Sequence, residues 1–317
     1  MNTANKRITK SYKLDLLLVY FPIWFPITYI FGISNFPTYS QLFFLTAIFL
    51  FAETHFASTW LFFFDKSNYK WIKKNFFKLV IIPIYFLIIF VAVWFFSPSF
   101  VLILHYLASG YHVTRQSVGI TKLSGTYSKI DTFLIYIFSS ICLIIGLAKP
   151  GILNIYFNAN NNFLAVLALL YFLIILFSTK KNFALLKRFL PLLTGISIYL
   201  PLLFFDNLAI ATIIGVGMHW CQYLTIMFAI NIKKRIEKNS NNFLVFLKKR
   251  ILFVLTYSLI MSSLTFLGMP VNQVNKNYSV LYLIPIIFQL FHFYIDGFIW
   301  KFSDKHIRKS VGSYLIT

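Results

Sequence analysis

Long apolar stretches separated by short polar segments follow one another along the whole chain. An α-helix needs about 20 apolar residues to cross the hydrocarbon core of a bilayer. The predicted spans are 14–33, 41–65, 79–96, 100–123, 133–150, 163–178, 190–205, 209–235, 251–269 and 279–301. The pattern therefore predicts an all-α, polytopic integral membrane helical bundle with about 10 transmembrane helices.

The segments outside these spans are short and basic. We predict a basic N-terminus over 1–13, a single transmembrane domain over 14–301 and a basic tail over 302–317. The first span lacks a small-residue cleavage site after a short apolar region, so we expect it to be retained as a helix. Composition agrees with this class, since 59% of the residues are hydrophobic and only 12% are charged.

The basic residues are distributed unevenly between the two sides that alternate threading creates. Of the 29 Lys and Arg residues, only Lys149 and Lys276 fall on the side opposite the N-terminus. This bias predicts that both termini are cytoplasmic and that the protein is a multi-pass protein of the inner (plasma) membrane. The net charge of +21 is then explained by loops that contact anionic membrane lipids, and no nucleic-acid partner is expected.

Four histidines lie on four different predicted spans, at similar distances from the start of each span. They are His55, His112, His219 and His292. At 1.5 Å of rise per residue, the four differ in depth by roughly 6 Å. Ionisable side chains inside a bilayer are costly and normally face the interior of the bundle. We therefore predict that the four imidazoles form one site, with His105 as a fifth candidate ligand on the helix face of His112.

Each of these four histidines has a hydrogen-bonding residue about one turn further along its helix. The neighbours are Asp296 after His292, Gln222 after His219, Gln116 after His112, and Ser58 and Thr59 after His55. A metal-bound imidazole needs its second ring nitrogen held by a carboxylate, amide or carbonyl. We predict this role for Asp296, Gln116 and Gln222, and we expect Arg115 to anchor a substrate near the cytoplasmic end.

Imidazole ligands suit iron, zinc, copper and nickel. Three or four histidines with at most one carboxylate, Asp296 or Glu53, favour a mononuclear iron site, with zinc as the alternative. Three other interpretations fit the same residues. In the first, a pair such as His112 and His219 ligates haem b. In the second, the histidines titrate in a proton- or ion-coupled transporter. In the third, they serve only in structural polar packing.

Segments 111–116 and 292–297 each place an isolated histidine on its own apolar helix. In layout and in histidine count, the chain resembles the bacterial Brp/Blh-type carotene dioxygenases, which are also basic, polytopic and apolar. The resemblance implies an iron held by histidines of separate helices and the oxidation of an apolar molecule, and it assigns no role to any residue. We therefore interpret the chain as an iron-dependent membrane oxidoreductase that acts with O2 on a lipid-soluble substrate.

Overall fold

The computed structural model describes residues 8–9, 11–124, 128–148, 183–237, 243–268 and 279–315. Every regular element in these ranges is helical. The α-helices are α1 (Tyr12–Asp15), α2 (Trp24–Asn35), α3 (Ser40–Ala47), α4 (Thr54–Trp60), α5 (Tyr69–Lys74), α6 (Ile82–Phe96), α7 (Pro98–Leu123), α8 (Lys129–Ala148), α9 (Phe183–Ser197), α10 (Pro201–Phe204), α11 (Leu208–Glu237), α12 (Phe243–Gly268), α13 (Ser279–Ile299) and α14 (Lys305–Ser310). Shorter π-helical or 3-10 segments are Leu16–Tyr20, Pro37–Tyr39, Ile48–Glu53, Lys66–Asn68, Phe77–Ile81 and Gly312–Tyr314.

Six helices of the described chain are long and apolar enough to cross a membrane, which indicates a membrane-embedded protein. They are Pro37–Trp60, Phe77–Phe96, Lys129–Ala148, Leu208–Ile236, Leu244–Gly268 and Val280–Ile299. The first predicted span is a pair of helices bent by 62°, which would be a seventh. The expectation of about ten spans is not confirmed, because Phe189–Phe204 is short, α7 is more polar and 163–178 lies outside the described residues.

The chain divides into two compact units. Beyond the first eight residues, unit 1 comprises Thr9–Phe44 and Gly110–Tyr223, and unit 2 comprises Leu45–Ser109 and Leu224–Thr317. Consequently α7 and α11 each contribute one part to unit 1 and the other part to unit 2.

In unit 1, polar side chains tie the N-terminal segment to the later helices. The Thr194 hydroxyl of α9 donates to the Tyr20 carbonyl at 2.7 Å, and the Gln222 amide of α11 donates to the Val19 carbonyl at 2.6 Å. Both acceptors lie at the end of the π-helical segment, where carbonyls lack partners within the helix. The two buried donors therefore satisfy the end of a helix and fix its place in the unit.

Helix α11 makes two backbone approaches that only glycine permits. A Cβ atom on Gly215 would lie 1.8 Å from the Ile198 carbonyl oxygen, and one on Gly217 would lie 1.9 Å from the Phe25 ring. Gly215 is four residues before His219, so this close approach occurs on the helix face that carries the histidine. Small residues at such positions let helices pack closely in membranes.

In unit 2, α12 and α13 pack against each other, and both pack against α4. Ala57 of α4 is fully buried against Leu61 and Val254, and its small side chain allows this close packing. The Ser258 hydroxyl of α12 donates to the Phe49 carbonyl of the π-helical segment that precedes α4. These contacts bring α4 and α13 side by side and so position the histidines they carry.

One end of unit 2 collects segments that the sequence predicts on the cytoplasmic side. The Lys234 ammonium lies 3.2 Å from the Asp65 carboxylate, and Lys233 donates to the Tyr314 carbonyl at 3.0 Å. Burial alone would raise the pKa of Asp65, but the hydrogen bonds from Ser67 and the Lys234 charge hold it below its ordinary value. These contacts place three basic segments at one end of the unit, while the side of the membrane they face stays a prediction.

The C-terminal tail is docked on the segment after α4 by a histidine with a structural role. The His306 ring stacks on Trp71 at 5.7 Å, and its Nε2 lies 2.9 Å from Asn68 Oδ1. The Trp71 indole donates to Asp304 at 3.1 Å. Burial lowers the pKa of His306 below its ordinary value. This sixth histidine therefore belongs to the packing of the tail.

We predict that Gly215→Ala destabilises the protein, because the added Cβ would overlap a backbone carbonyl that no side-chain rotation can move. We expect the melting temperature in detergent to fall by at least about 5 °C. Gly119→Ala is the matched control, since a Cβ there meets no atom within 4 Å. That control is expected to be neutral or stabilising, and an unchanged melting temperature for Gly215→Ala would contradict the observed approach.

Candidate metal centre

Two histidine rings of unit 2 meet between α4 and α13. The ring centroids of His55 and His292 are 4.5 Å apart with an interplanar angle of 75°. His55 is 1% exposed and His292 is fully buried. The Phe56 ring packs edge-on against His292 at 5.0 Å, so the pair lies in apolar surroundings.

Thr59 connects His292 to a buried carboxylate. Its hydroxyl oxygen lies 2.7 Å from His292 Nδ1, and the hydroxyl donates to Asp296 Oδ1 at 3.2 Å. The Trp300 indole donates to Asp296 Oδ2 at 3.2 Å. Asp296 thus accepts from two side-chain donors, and its Oδ2 also lies 3.7 Å from His292 Nε2.

These bonds determine which nitrogen of His292 is available as a ligand atom. A hydroxyl has one proton, and Thr59 gives that proton to Asp296. The Thr59 oxygen can then only accept from His292, which requires the proton of the neutral ring to be on Nδ1. The lone pair is left on Nε2, as an imidazole that binds a metal requires.

A second pair of histidine rings lies in unit 1. The centroids of His112, on α7, and His219, on α11, are 5.8 Å apart and nearly perpendicular. His112 is 6% exposed and His219 is fully buried. Tyr223, one turn after His219, lies 6.2 Å from that ring. The four histidines that the sequence predicts at one depth are therefore buried, and the fifth candidate, His105, is half-buried.

Three of the buried histidines form a group that could hold a metal ion. Each of His55, His112 and His292 offers one ring nitrogen, and these nitrogens all lie within 4.8 Å of one another. An ion bound about 2.1 Å from each nitrogen would need the nitrogens to be roughly 3 to 4 Å apart. Three neutral imidazoles are donors for iron, zinc, copper or nickel, and the arrangement does not identify the metal.

The other predicted ligands have different neighbours in the described chain. His105 lies two turns before His112 on α7, and its Nε2 donates to Gln289 Oε1 at 2.7 Å. The His219 ring lies beside His112 and is not a member of the three-histidine group.

The residues predicted to assist the ligands also occupy distinct environments. Asp296 is buried and reaches His292 through Thr59, whereas Gln222 donates its amide to the Val19 carbonyl. Gln116 is half-buried, and Arg115 has an exposed side chain. Asp296 has a direct structural link to a histidine of the group, because Thr59 contacts both Asp296 and His292.

Sequence reasoning missed the partners that come from other helices. The sequence associates Thr59 with His55, four residues earlier on the same helix, but the Thr59 hydroxyl contacts His292. Gln289 was not singled out, although it is a polar residue in an apolar helix three positions before His292. That position is the only signal the sequence offered, and it does not reveal the partner.

Comparison of the chain with protein-family models, with curated proteins and with solved structures found no match.

We predict that Thr59→Val weakens metal binding, because it removes the hydroxyl that holds the His292 tautomer while preserving side-chain volume. Loss of such an outer hydrogen bond typically lowers metal affinity by about 10- to 100-fold. The affinity is measured by competition with a chelator of known strength. Thr59→Ser restores the hydroxyl and is expected to bind nearly as well as the unmodified protein.

The matched control for this experiment is Thr121→Val. The Thr121 hydroxyl is fully buried and donates to the Ser117 carbonyl of its own helix. It should leave the metal affinity unchanged. Equal affinities for Thr59→Val and Thr121→Val would show that the Thr59 hydroxyl does not orient a ligand.

Proposed function

We propose that the protein is a membrane metalloenzyme in which His55, His112 and His292 bind a metal ion. The observation that carries the proposal is the mutual approach of three buried ring nitrogens within 4.8 Å. Buried polar groups are costly unless they are bonded, and convergence of three imidazoles in apolar surroundings is typical of a metal site.

Iron is the metal we propose, and a lipid-soluble molecule oxidised with O2 is the proposed substrate. Three nitrogen donors, with the Asp296 carboxylate 3.7 Å from His292 Nε2, resemble the mixed nitrogen and carboxylate surroundings of non-haem iron. Iron held by His55, His112 and His292 would supply the chemistry that activates O2. The protein's own contribution is to orient His292 through Thr59 and to exclude water with rings such as Phe56.

The membrane setting supports a lipid-soluble substrate, since six helices are apolar and long enough to cross a bilayer. We further propose anionic lipids of the inner (plasma) membrane as partners, because one end of unit 2 exposes many basic side chains. They are Lys66, Lys70, Lys73, Lys74, Lys248, Lys249, Lys301, Lys305, Arg308 and Lys309.

We predict that the protein purified in mild detergent contains about one iron per chain by elemental analysis. His55→Ala, His112→Ala and His292→Ala should each lose most of this metal, because each removes one of three ligands. His306→Ala is the control, since that ring is stacked on Trp71 at the end of unit 2. His105→Gln and His219→Ala should retain metal if the ligand set is the three-histidine group.

Two results would contradict this proposal. One is a metal content at background level in the unmodified protein, and the other is full retention by the three alanine variants. A Soret absorption band would instead indicate haem.

We also predict oxidation chemistry that depends on this centre. Protein loaded with Fe(II) in vesicles, supplied with an extract of membrane lipids, ascorbate as electron donor and ¹⁸O₂, should yield a lipid product that carries ¹⁸O by mass spectrometry. His292→Ala should yield none, and Gly119→Ala should match the unmodified protein. An iron-loaded centre that consumes no O2 with any lipid fraction would remove the proposed reaction and leave the metal site.

A further inference from the structure

A second set of polar side chains is buried in unit 2, separate from the ligand nitrogens. The His105 ring donates from Nε2 to Gln289 Oε1 at 2.7 Å, and the Gln289 amide donates to Glu53 Oε1 at 3.1 Å. Both bonds run in the same direction, so a chain of N–H donors ends at the Glu53 carboxyl. Gln289 thereby fixes the position of one carboxyl oxygen.

The other oxygen of this carboxyl has no hydrogen-bond partner in the described chain. Glu53 is 1% exposed, and its Oε2 is buried without a donor. Glu53 is the last residue of the π-helical segment Ile48–Glu53, and such irregularities in helices often mark functional sites. A buried acceptor left unbonded costs free energy, so Glu53 Oε2 offers a position at which a donor from outside the chain could bind.

Two further polar atoms with incomplete hydrogen bonding belong to side chains that lie around Phe288, the residue before Gln289. They are Trp60 Nε1 and the Tyr257 hydroxyl oxygen. The rings of Trp60 and Tyr257 each lie 6.2 Å from the Phe288 ring. The Trp60 indole is close to the Tyr257 hydroxyl, and Glu53 acts electrostatically on the same hydroxyl. Neither Trp60 Nε1 nor the Tyr257 hydroxyl completes a well-aligned hydrogen bond, although both atoms are buried. The Tyr257 hydroxyl therefore links the three groups, since it is close to the Trp60 indole and feels the charge of the Glu53 carboxyl.

We propose that Glu53, Trp60 and Tyr257 form a binding site for the hydroxyl group of an otherwise apolar ligand. A hydroxyl both donates and accepts, so it can give its proton to Glu53 Oε2 and accept from the indole N–H or the phenol. A cation fits less well, because Trp60 Nε1 is a donor and presents the positive end of its dipole. The surrounding aromatic rings suit an alkyl chain.

This site is independent of the metal, since the argument uses none of the three nitrogens that approach within 4.8 Å. It goes beyond the proposed function by specifying the chemistry of a ligand. If the ligand is also the substrate of the proposed oxidation, that substrate is a lipid-soluble alcohol.

The experiment is photo-labelling of the full-length protein in detergent with three probes. The probes are a long-chain primary alcohol that carries a diazirine, its methyl ether, and the corresponding primary ammonium. We expect the alcohol to label α4 and α12 roughly tenfold more than the ether, the preference that one lost hydrogen bond to a buried acceptor gives. Labelled positions are identified by mass spectrometry of peptides, with and without a chelator that removes metal.

Two variants test the assignment to Glu53 and Tyr257. Glu53→Leu and Tyr257→Phe should each bring the ratio of alcohol to ether labelling close to one. Tyr294→Phe is the matched control, because the Tyr294 hydroxyl donates to the Lys78 carbonyl at an exposed position. It should leave the ratio unchanged. If Glu53→Leu fails to fold, Tyr257→Phe and the ratio measured in the unmodified protein still decide the outcome.

Three results would overturn the inference. These are equal labelling by alcohol and ether in the unmodified protein, an unchanged ratio in Tyr257→Phe, and stronger labelling by the ammonium probe than by the alcohol. The last result would assign the site to a cation. Labelling that persists after the chelator removes metal shows that this site stands even if the metal proposal fails.

Discussion

The hydrogen bonds of Thr59 illustrate the constraint on which the interior of unit 2 depends. In apolar surroundings a polar side chain must find its partner within the protein, because unpaired donors and acceptors are costly there. The Thr59 hydroxyl meets His292 and Asp296 at once, and Trp300 supplies the second donor to the carboxylate. The hydrogen bonds to the Asp296 carboxylate therefore fix the rotation of α4 relative to α13. They also fix the direction of the His292 ring.

Close helix packing is what makes such contacts reachable. Ala57 is fully buried and allows α12 to approach α4, and Ser258 donates to the Phe49 carbonyl of the π-helical segment that precedes α4. In unit 1, Gly215 allows the Ile198 backbone to lie where any side chain would collide. Small residues and local departures from α-helical geometry thus decide which polar groups meet.

Unit 2 then carries two kinds of polar chemistry near each other on α4 and α13. One is the imidazole pair with its oriented tautomer, and the other is the carboxyl of Glu53 at the end of a chain of N–H donors. An apolar alcohol bound by Glu53, Trp60 and Tyr257 would contact α4, the helix that also carries the proposed ligand His55. This arrangement offers a physical basis for presenting a lipid-soluble molecule to a buried metal, with no charged group of the ligand to desolvate.

The amino-acid sequence by itself determined the helical, apolar character of the chain, the clustering of basic residues in loops and the burial of His55, His112, His219 and His292. Each of these follows from composition or from positions within one helix. Which side chains meet was decided by tertiary structure, since counting residues identifies neighbours on one helix only. Thr59 was therefore placed with His55 instead of His292, and Gln289 had no visible partner. The π-helical segment Ile48–Glu53 directly precedes α4. Its wider turn shifts every later side chain from the position that a 3.6-residue period gives.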